Sequence, residues 1–485
     1  MSRTRLLPVV LAAAVLTHGA GAATQSRPAP PQPRNLQERL AQVVTGGCLG
    51  SAKVGAAVVS LPDGRTVFES DAYAPLEPAS TMKVLTTAAV LDRFGPDWRY
   101  ATNIYADGPI EHGVLSGNLI IRGSGAPDLV IERWPEMAAR ISGLGITGIT
   151  GDIVGDDSFF DGERRPPGWP PAANANSYNS PISALAANFN TVRVSVMPTA
   201  AGKRPTVLVE PFSPLIKADN RAKTGKRTSL RLGRSWNGRQ NTISVTGTIG
   251  ARSGPMSDYV AIEEPALATT SALQDALGNA GITVSGKAAL GPTPPGATLL
   301  WTESSKPLWE IAADTNKNSN NFMAECLQRT LGADSFGAPG TRRKGADAVD
   351  GWLQRIGASR AGVTLFDGSG LAHANHLTAR TLVDALVSQQ ADPGLGPYFV
   401  ATLPICGVDG TLTGRLGDVA GQVRAKTGTI SGARGLAGYV MDPGGQPRYA
   451  FAILVNAYRC GERTALASVD SFARALALDA AAPTP

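Results

Sequence analysis

PASTMKVLTTAAVL, residues 78–91, sets Ser80 and Lys83 three positions apart at the head of an apolar run. The run carries no glycine or proline after Pro78, and its pattern predicts a helix. Positions i and i+3 of a helix share a face, so the hydroxyl and the amine come within reach of each other. Ser80 stands at the N-terminal end, where free N–H groups and the helix dipole favour developing negative charge. An alcohol is a weak nucleophile until a base takes its proton. A lysine supplies that base when burial or a neighbouring cation lowers its pKa. The plain alternative is a capping serine beside a surface lysine, and S-x-x-K alone does not decide between them.

The surroundings of this segment set the architecture. Before it, KVGAAVVSLPDGRTVFES (53–70) reads as two strands about a Pro62-Asp63-Gly64 turn. After it, residues 99–299 are rich in short alternating runs such as VLSGNLIIRG and in Gly/Pro punctuation, the pattern of inserted, strand-rich material forming two subdomains. From about Lys306 the pattern is helical, in PLWEIAADTNK, NNFMAECLQRTL, KGADAVDGWLQRIG and LTARTLVDALVSQQ. Three strands follow, GQVRAKTG, ARGLAGYVMD and PRYAFAILVNA, the last two joined at Pro443-Gly444-Gly445, and a helix from Arg463 to about Leu478 closes the chain. This order describes one α/β domain, residues 38–98 and 300–480, interrupted by the excursion.

Length and composition agree with that size. The chain has 485 residues, 43% hydrophobic and 17% charged, enough to bury more than one core. Its net charge of +6 slightly favours polyanionic surroundings such as a cell envelope, but there is no block of like charge and no basic-aromatic stripe, so nucleic acid is not indicated. Arg3 and Arg5 precede an apolar stretch from Leu6 to Leu16, and Ala20-Gly21-Ala22 offers small residues for cleavage. Residues 1–22 therefore read as a secretory signal peptide and 23–37 as a proline-rich leader. The apolar stretch is too short to span a bilayer, and Cys48, the first cysteine, lies far beyond the cleavage site. The expectation is an exported protein of the periplasm or cell envelope with no transmembrane anchor, associated with the envelope at most peripherally.

Other chemistries are poorly supported. Four cysteines in an exported chain allow three pairings, none of their spacings is C-x-x-C, and only four histidines exist. His373 and His376 form H-x-x-H without a carboxylate motif, which reads as ordinary loop histidines and not as a metal site. Gly143-Leu144-Gly145-Ile146-Thr147-Gly148 fits the dinucleotide spacing, but a helical pattern precedes it and a strand-like one follows, the reverse of what a nucleotide site needs. No cofactor is expected. Lys223-Thr224-Gly225 sits in a basic, loop-like stretch and reads as a surface turn.

Two segments decide how Ser80 and Lys83 are read. Ser319 and Asn321 give S-x-N at the start of a helix, and Lys426-Thr427-Gly428 gives K-T-G at the end of a strand. The order S-x-x-K, S-x-N, K-T-G is the signature of penicillin-binding proteins and class A β-lactamases. Each piece is weak alone, and three in order on suitable elements are strong. With GDDSFFDG and PPGW, SALAANFNTV, FDGSGL and LPICGVDGTLTGRL, the chain resembles the D-alanyl-D-alanine carboxypeptidase/endopeptidases, the low-molecular-mass class C penicillin-binding proteins, over nearly its whole mature length. The 239 positions from Ser80 to Ser319 (319 − 80) leave room for the large insertion that such proteins carry and a compact β-lactamase does not.

The resemblance implies a penicillin-binding, serine-β-lactamase-like domain: an antiparallel sheet flanked by helices, with strand-rich insertions. It implies Ser80 as nucleophile, Lys83 as base, Ser319 and Asn321 as proton relay and orienting groups, and Lys426 and Thr427 as the holders of a terminal carboxylate. Gly428 and Thr429 would line the substrate strand, and the N–H groups of Ser80 and Thr429 would form an oxyanion hole. The partners implied are peptidoglycan peptides and β-lactams. By the same resemblance the insertion borders the cleft, with Asp156 and Phe160 as candidates for contacting the stem peptide's third residue. Asp156 and Asp157 read equally well as the end of a strand in an Asx-turn. The last strand would run antiparallel to the first, which places Cys460 beside Cys48. Two departures stand out: Ala126-Pro127-Asp128 where relatives often read G-D-P, and Ala372-His373 where they often read S-R, so that His373 either takes the place of a substrate-facing arginine or is a solvated residue of a loop tilted away from the cleft. The rival readings are a β-lactamase, for which no general-base glutamate can be identified, and a non-catalytic binding protein, against which all six polar residues of the three motifs argue.

Overall fold

The computed structural model describes residues 35–482. The expected signal peptide and most of the proline-rich leader lie outside the described residues. Asn35 already caps a helix, α1 (Leu36–Thr45), by accepting from the N–H of Glu38 at 2.8 Å, so the leader ends slightly before the expected boundary at 37.

Strands β1 (Lys53–Ser60), β2 (Thr66–Ser70), β3 (Val423–Ile430), β4 (Ala433–Met441) and β5 (Pro447–Asn456) form one sheet in the order β3-β4-β5-β1-β2, every pair antiparallel. The two ends of the chain thus build a single sheet. Side chains of a strand alternate between faces, and in the central strands β1, β4 and β5 both faces are buried. Val54, Ala56 and Val58 join Phe451, Ile453 and Val455 in one core, whereas Ala57 and Val59 join Ala450, Ala452 and Leu454 in another. That double burial is why these strands read as apolar runs without polar alternation. The first core is covered by α1 and by the closing helix Glu462–Ala480, the second by α2 (Met82–Phe94) and the helices Leu308–Lys317 and Ala379–Ala391.

The register sets Lys53 opposite Asn456. Cys48 just before β1 and Cys460 just after β5 are therefore neighbours, and they form a disulfide with Cα atoms 5.7 Å apart. Cys326 and Cys406 are buried thiols.

Residues 101–304 supply four further sheets around two separate cores, one built on Ile104, Ile121, Ile153 and Leu273, the other on Val192, Val194, Ile243 and Val260. The strand Thr298–Ser304 pairs with Ala101–Ala106, so the insertion starts and ends side by side, and its last strand runs past the expected boundary at 299. Within this strand-rich region Pro265–Asn279 is a helix that buries Leu273 and Leu277. One reading needs correction. Lys223–Gly225 is no surface turn but a short strand parallel to Thr248–Gly250, with Thr224 buried and accepting from the N–H of Thr199. Its local composition suits a loop, but a partner more than twenty residues away captures its backbone groups. At Gly143–Gly148 a helix (Trp134–Gly143) precedes a turn and a strand (Gly148–Ile149), the order that argues against a dinucleotide site.

Candidate active site

Ser80 lies in a 3₁₀ turn, Ala79–Thr81, and α2 begins two residues later at Met82. The turn is held tightly between two glycines. A Cβ on Gly428 of β3 would lie 2.7 Å from the Pro78 carbonyl, and one on Gly370 would lie 1.9 Å from the Ala79 carbonyl. Neither contact is tolerable for a real side chain, so both glycines let backbone approach the serine.

Lys83 is fully buried on the first turn of α2. Its Nζ donates to Asn321 Oδ1 at 2.7 Å and to the Ser369 carbonyl at 2.7 Å, and stands 2.9 Å from Ser80 Oγ. A neutral amine has two protons and one lone pair. The two carbonyl oxygens take the protons, which leaves the lone pair facing the serine hydroxyl. Burial pushes Lys83 down to about 7, against an opposing pull from the carboxylates of Asp367 and Glu325. At that value a substantial fraction of the amine is a base at neutral pH.

Across the cleft, Ser319 has a left-handed backbone (φ 54°) in the turn before the helix Asn321–Phe336. The cap of that helix is Asn320, which accepts from the N–H of Met323, and Ser319 is left to meet Lys426, whose Nζ donates to its Oγ at 3.0 Å. Lys426 is buried on the edge strand β3, and burial together with the nearby Lys83 and Arg415 cations holds it well below the ordinary lysine range. Thr427 Oγ1 donates to Thr411 Oγ1 at 2.8 Å. The structure thus gathers Ser80, Lys83, Ser319, Asn321, Lys426 and Thr427 in one place. Ser80, Ser319, Asn321, Thr429 and His373 line a cavity of about 520 Å³, with Trp169 and Tyr178 forming its wall from the insertion.

Several residues of the site carry no role in the sequence reading. Asp367 of the FDGSGL segment is buried and accepts from Trp169 Nε1 at 2.8 Å, from the N–H groups of Gly370 and Ala372, and from Asn375 Nδ2. It folds the loop that brings the Ser369 carbonyl to Lys83 and ties that loop to the insertion. Asn321 Nδ2 donates to the Tyr178 carbonyl at 3.0 Å, a second tie. Glu325, one turn after Asn321, is fully buried and accepts from the N–H of Ser369 at 2.9 Å; burial first, then the Asp367 carboxylate, raises it to about 8. A charged residue inside the apolar helix pattern of NNFMAECLQRTL was the available signal for it.

The insertion borders the cleft, but through Gly168–Pro170 and Tyr178, not through the two residues expected. Asp156 is buried at the end of a strand, where it accepts from the N–H of Ser158 in an Asx-turn and from both the N–H and the hydroxyl of Thr293 at 2.8 and 2.6 Å. Its carboxylate is fully engaged away from the cavity, the alternative that the sequence left open. Phe160 is buried with Trp169, Phe322 and Cys326 and supports the wall from behind. His373 does line the cavity, but its Nδ1 is 2.8 Å from Glu77 Oε2, so a carboxylate already faces this ring. Gly428 is packed under the Ser80 turn. Among the described residues no cluster of three or more His, Cys, Asp or Glu is disposed to hold a metal ion, and no helix is long and apolar enough to cross a membrane.

A serine meeting a buried lysine, faced by a second serine–lysine pair beside the edge strand of an antiparallel sheet, defines the acyl-transfer enzymes of the penicillin-binding fold. Residues 36–476 match the D-Ala-D-Ala carboxypeptidase 3 (S13) family, and the chain belongs to that family of serine peptidases. It is 35% identical over 443 residues to a D-alanyl-D-alanine carboxypeptidase of Actinomadura sp. (strain R39), covering 87% of this chain and 81% of the other. Among solved structures it is similar to penicillin binding protein 4 from Haemophilus influenzae, with a TM-score of 0.78 and 25% identity over 91% of this chain and 98% of that one. The same Haemophilus protein complexed with a β-lactam matches with a TM-score of 0.73.

Proposed function

We propose that Ser80 is the nucleophile of this D-alanyl-D-alanine carboxypeptidase, and that the enzyme cleaves both terminal D-alanine and D-alanyl cross-links of peptidoglycan stem peptides. Ser80 Oγ attacks the carbonyl of the penultimate D-alanine while Lys83 accepts its proton. The N–H groups of Ser80 and Thr429 receive the oxyanion, each donor contributing on the order of 3 kcal/mol to the transition state. Lys426 and Thr427 hold the carboxylate of the leaving residue. That carboxylate keeps Lys426 protonated, and a cation there disfavours a second one on Lys83, so substrate binding itself keeps the base neutral. As the tetrahedral intermediate collapses, Ser319 passes its proton to the departing nitrogen and is replenished from Lys426. Once Lys83 has passed the Ser80 proton on to the now neutral Lys426, water attacks the ester, Lys83 takes the water's proton, and that proton goes to Ser80 Oγ as the ester breaks. A β-lactam offers the same carbonyl and carboxylate and leaves a long-lived ester, in line with the β-lactam complex of the Haemophilus relative. The reading places the enzyme in the periplasm or cell envelope, exported by the N-terminal signal.

The observation that carries this reading is the 2.9 Å contact of Ser80 Oγ with a buried lysine amine whose two protons are already committed. The test is D-alanine release from an N-acylated peptide ending in D-alanyl-D-alanine. Ser80→Ala is expected to lose turnover and Thr427→Val to raise KM. Turnover that survives in Ser80→Ala refutes the assignment.

A further inference from the structure

Beyond the catalytic cavity a second and larger hollow opens on the other side of Tyr178 and the Ser319 turn. It encloses about 1090 Å³ and is lined by Tyr178 and residues 318–321 at one end and by strands of the insertion at the other. Ser319, Asn321 and Tyr178 line both hollows, so the two are adjacent and meet at the Ser319 turn. The far wall is apolar and exposed: Phe212 is 82% and Tyr259 55% accessible, with Leu208 beside them. Arg193 lies in the same wall, paired with Glu210. Exposed aromatic side chains gathered around a concavity mark a binding surface more than an ordinary one.

We propose that this groove holds the amine-side arm of a cross-linked substrate, the second stem peptide whose amino group forms the scissile bond. The inference rests on the reading of Ser319 as the group that protonates the departing nitrogen. The leaving portion then emerges at Ser319, where the groove begins. A single departing D-alanine spans only about 3.5 Å and ends at the carboxylate held by Lys426 and Thr427. Leu208, Phe212 and Tyr259 line the outer groove and not the cavity it occupies. A peptide arm extends to them, and it supplies apolar surface for the aromatic rings and charges of both signs for Arg193 and Glu210. Binding energy gained there is available only to cross-links, and so sets the balance between endopeptidase and carboxypeptidase action.

The test compares two substrates on the full enzyme and on Phe212→Ala, Arg193→Ala and the double variant, all exposed positions outside the catalytic cluster. One substrate is a monomeric pentapeptide that loses D-alanine; the other is a peptide-only cross-linked dimer. The dimer is expected to lose about tenfold in kcat/KM in the double variant, mostly through KM, while the pentapeptide and the rate of penicillin acylation change less than about twofold. Equal effects on the two substrates, or none on the dimer, overturn the proposal. Competition against dimer cleavage by a peptide-free glycan oligomer, relieved in the double variant, also overturns it, by assigning the groove to sugar. The ratio of the two hydrolyses reports on the groove whichever residue is the nucleophile, and penicillin acylation of Ser80 reports separately on the catalytic reading.

Discussion

Three oxygens surround the Nζ of Lys83, and only one of them belongs to a hydroxyl. In the proposed mechanism the amine must be neutral to accept the Ser80 proton, so its lowered pKa sets the pH dependence. A base works when deprotonated; kcat/KM for acylation is therefore expected to rise with pH through about 7 and then level. Stopped-flow acylation by a chromogenic β-lactam between about pH 5.5 and 9 checks this, and a rate flat across neutrality contradicts it. Lys83→Ala is expected to slow acylation by roughly 10²–10⁴-fold. Asp367 is the other residue whose loss should be felt. Asp367→Ala strands Trp169 Nε1 and two buried N–H groups, and is expected to destabilise the protein by on the order of 3 kcal/mol, read from the denaturant midpoint. At this scale the three motifs were legible because their chemistry is local: hydroxyl and amine one turn apart, or at an element's end. Asp156 was not, because its partner Thr293 is 137 residues away and no spacing announces it. Nor was the Glu77 carboxylate that meets His373 from 296 residues away.

Elements were legible where one physical signal dominated. The central strands of the main sheet, β1, β4 and β5, are apolar runs with Pro and Gly turns beside them, and the interruption by a long excursion follows from the order of the strands. Hidden from that reading were elements fixed by distant partners, such as the strand at Lys223–Gly225, and a helix at Pro265–Asn279 embedded in strand-like sequence. Close approach of elements is equally hard to read. FDGSGL gives a turn, yet only the fold brings Gly370, with φ 78°, against the Ala79 carbonyl. Gly370→Ala is expected to push the nucleophile turn off its position and cut acylation by roughly a hundredfold, with circular dichroism unchanged. An unimpaired rate would show that the turn does not depend on this contact.

Across the whole molecule, the two chain ends are joined by the main sheet and by the Cys48–Cys460 bridge, 412 positions apart in sequence. A link closing so long a loop restricts the unfolded chain strongly. The double variant Cys48→Ser/Cys460→Ser is expected to be less stable by roughly 3–4 kcal/mol in denaturant while still acylating, because the bridge lies against the core on the face away from α2. Loss of acylation in the folded variant would instead link the bridge to the site. The insertion contributes to the catalytic cleft through Trp169 and Tyr178, so the site belongs to both parts of the chain. Formation of the acyl-enzyme on Ser80 is read out by intact mass and peptide mapping after incubation with benzylpenicillin. The account requires one penicilloyl adduct on the peptide containing Ser80 and none in Ser80→Ala; an adduct that persists in the variant, or a wild-type enzyme that gains none, contradicts it.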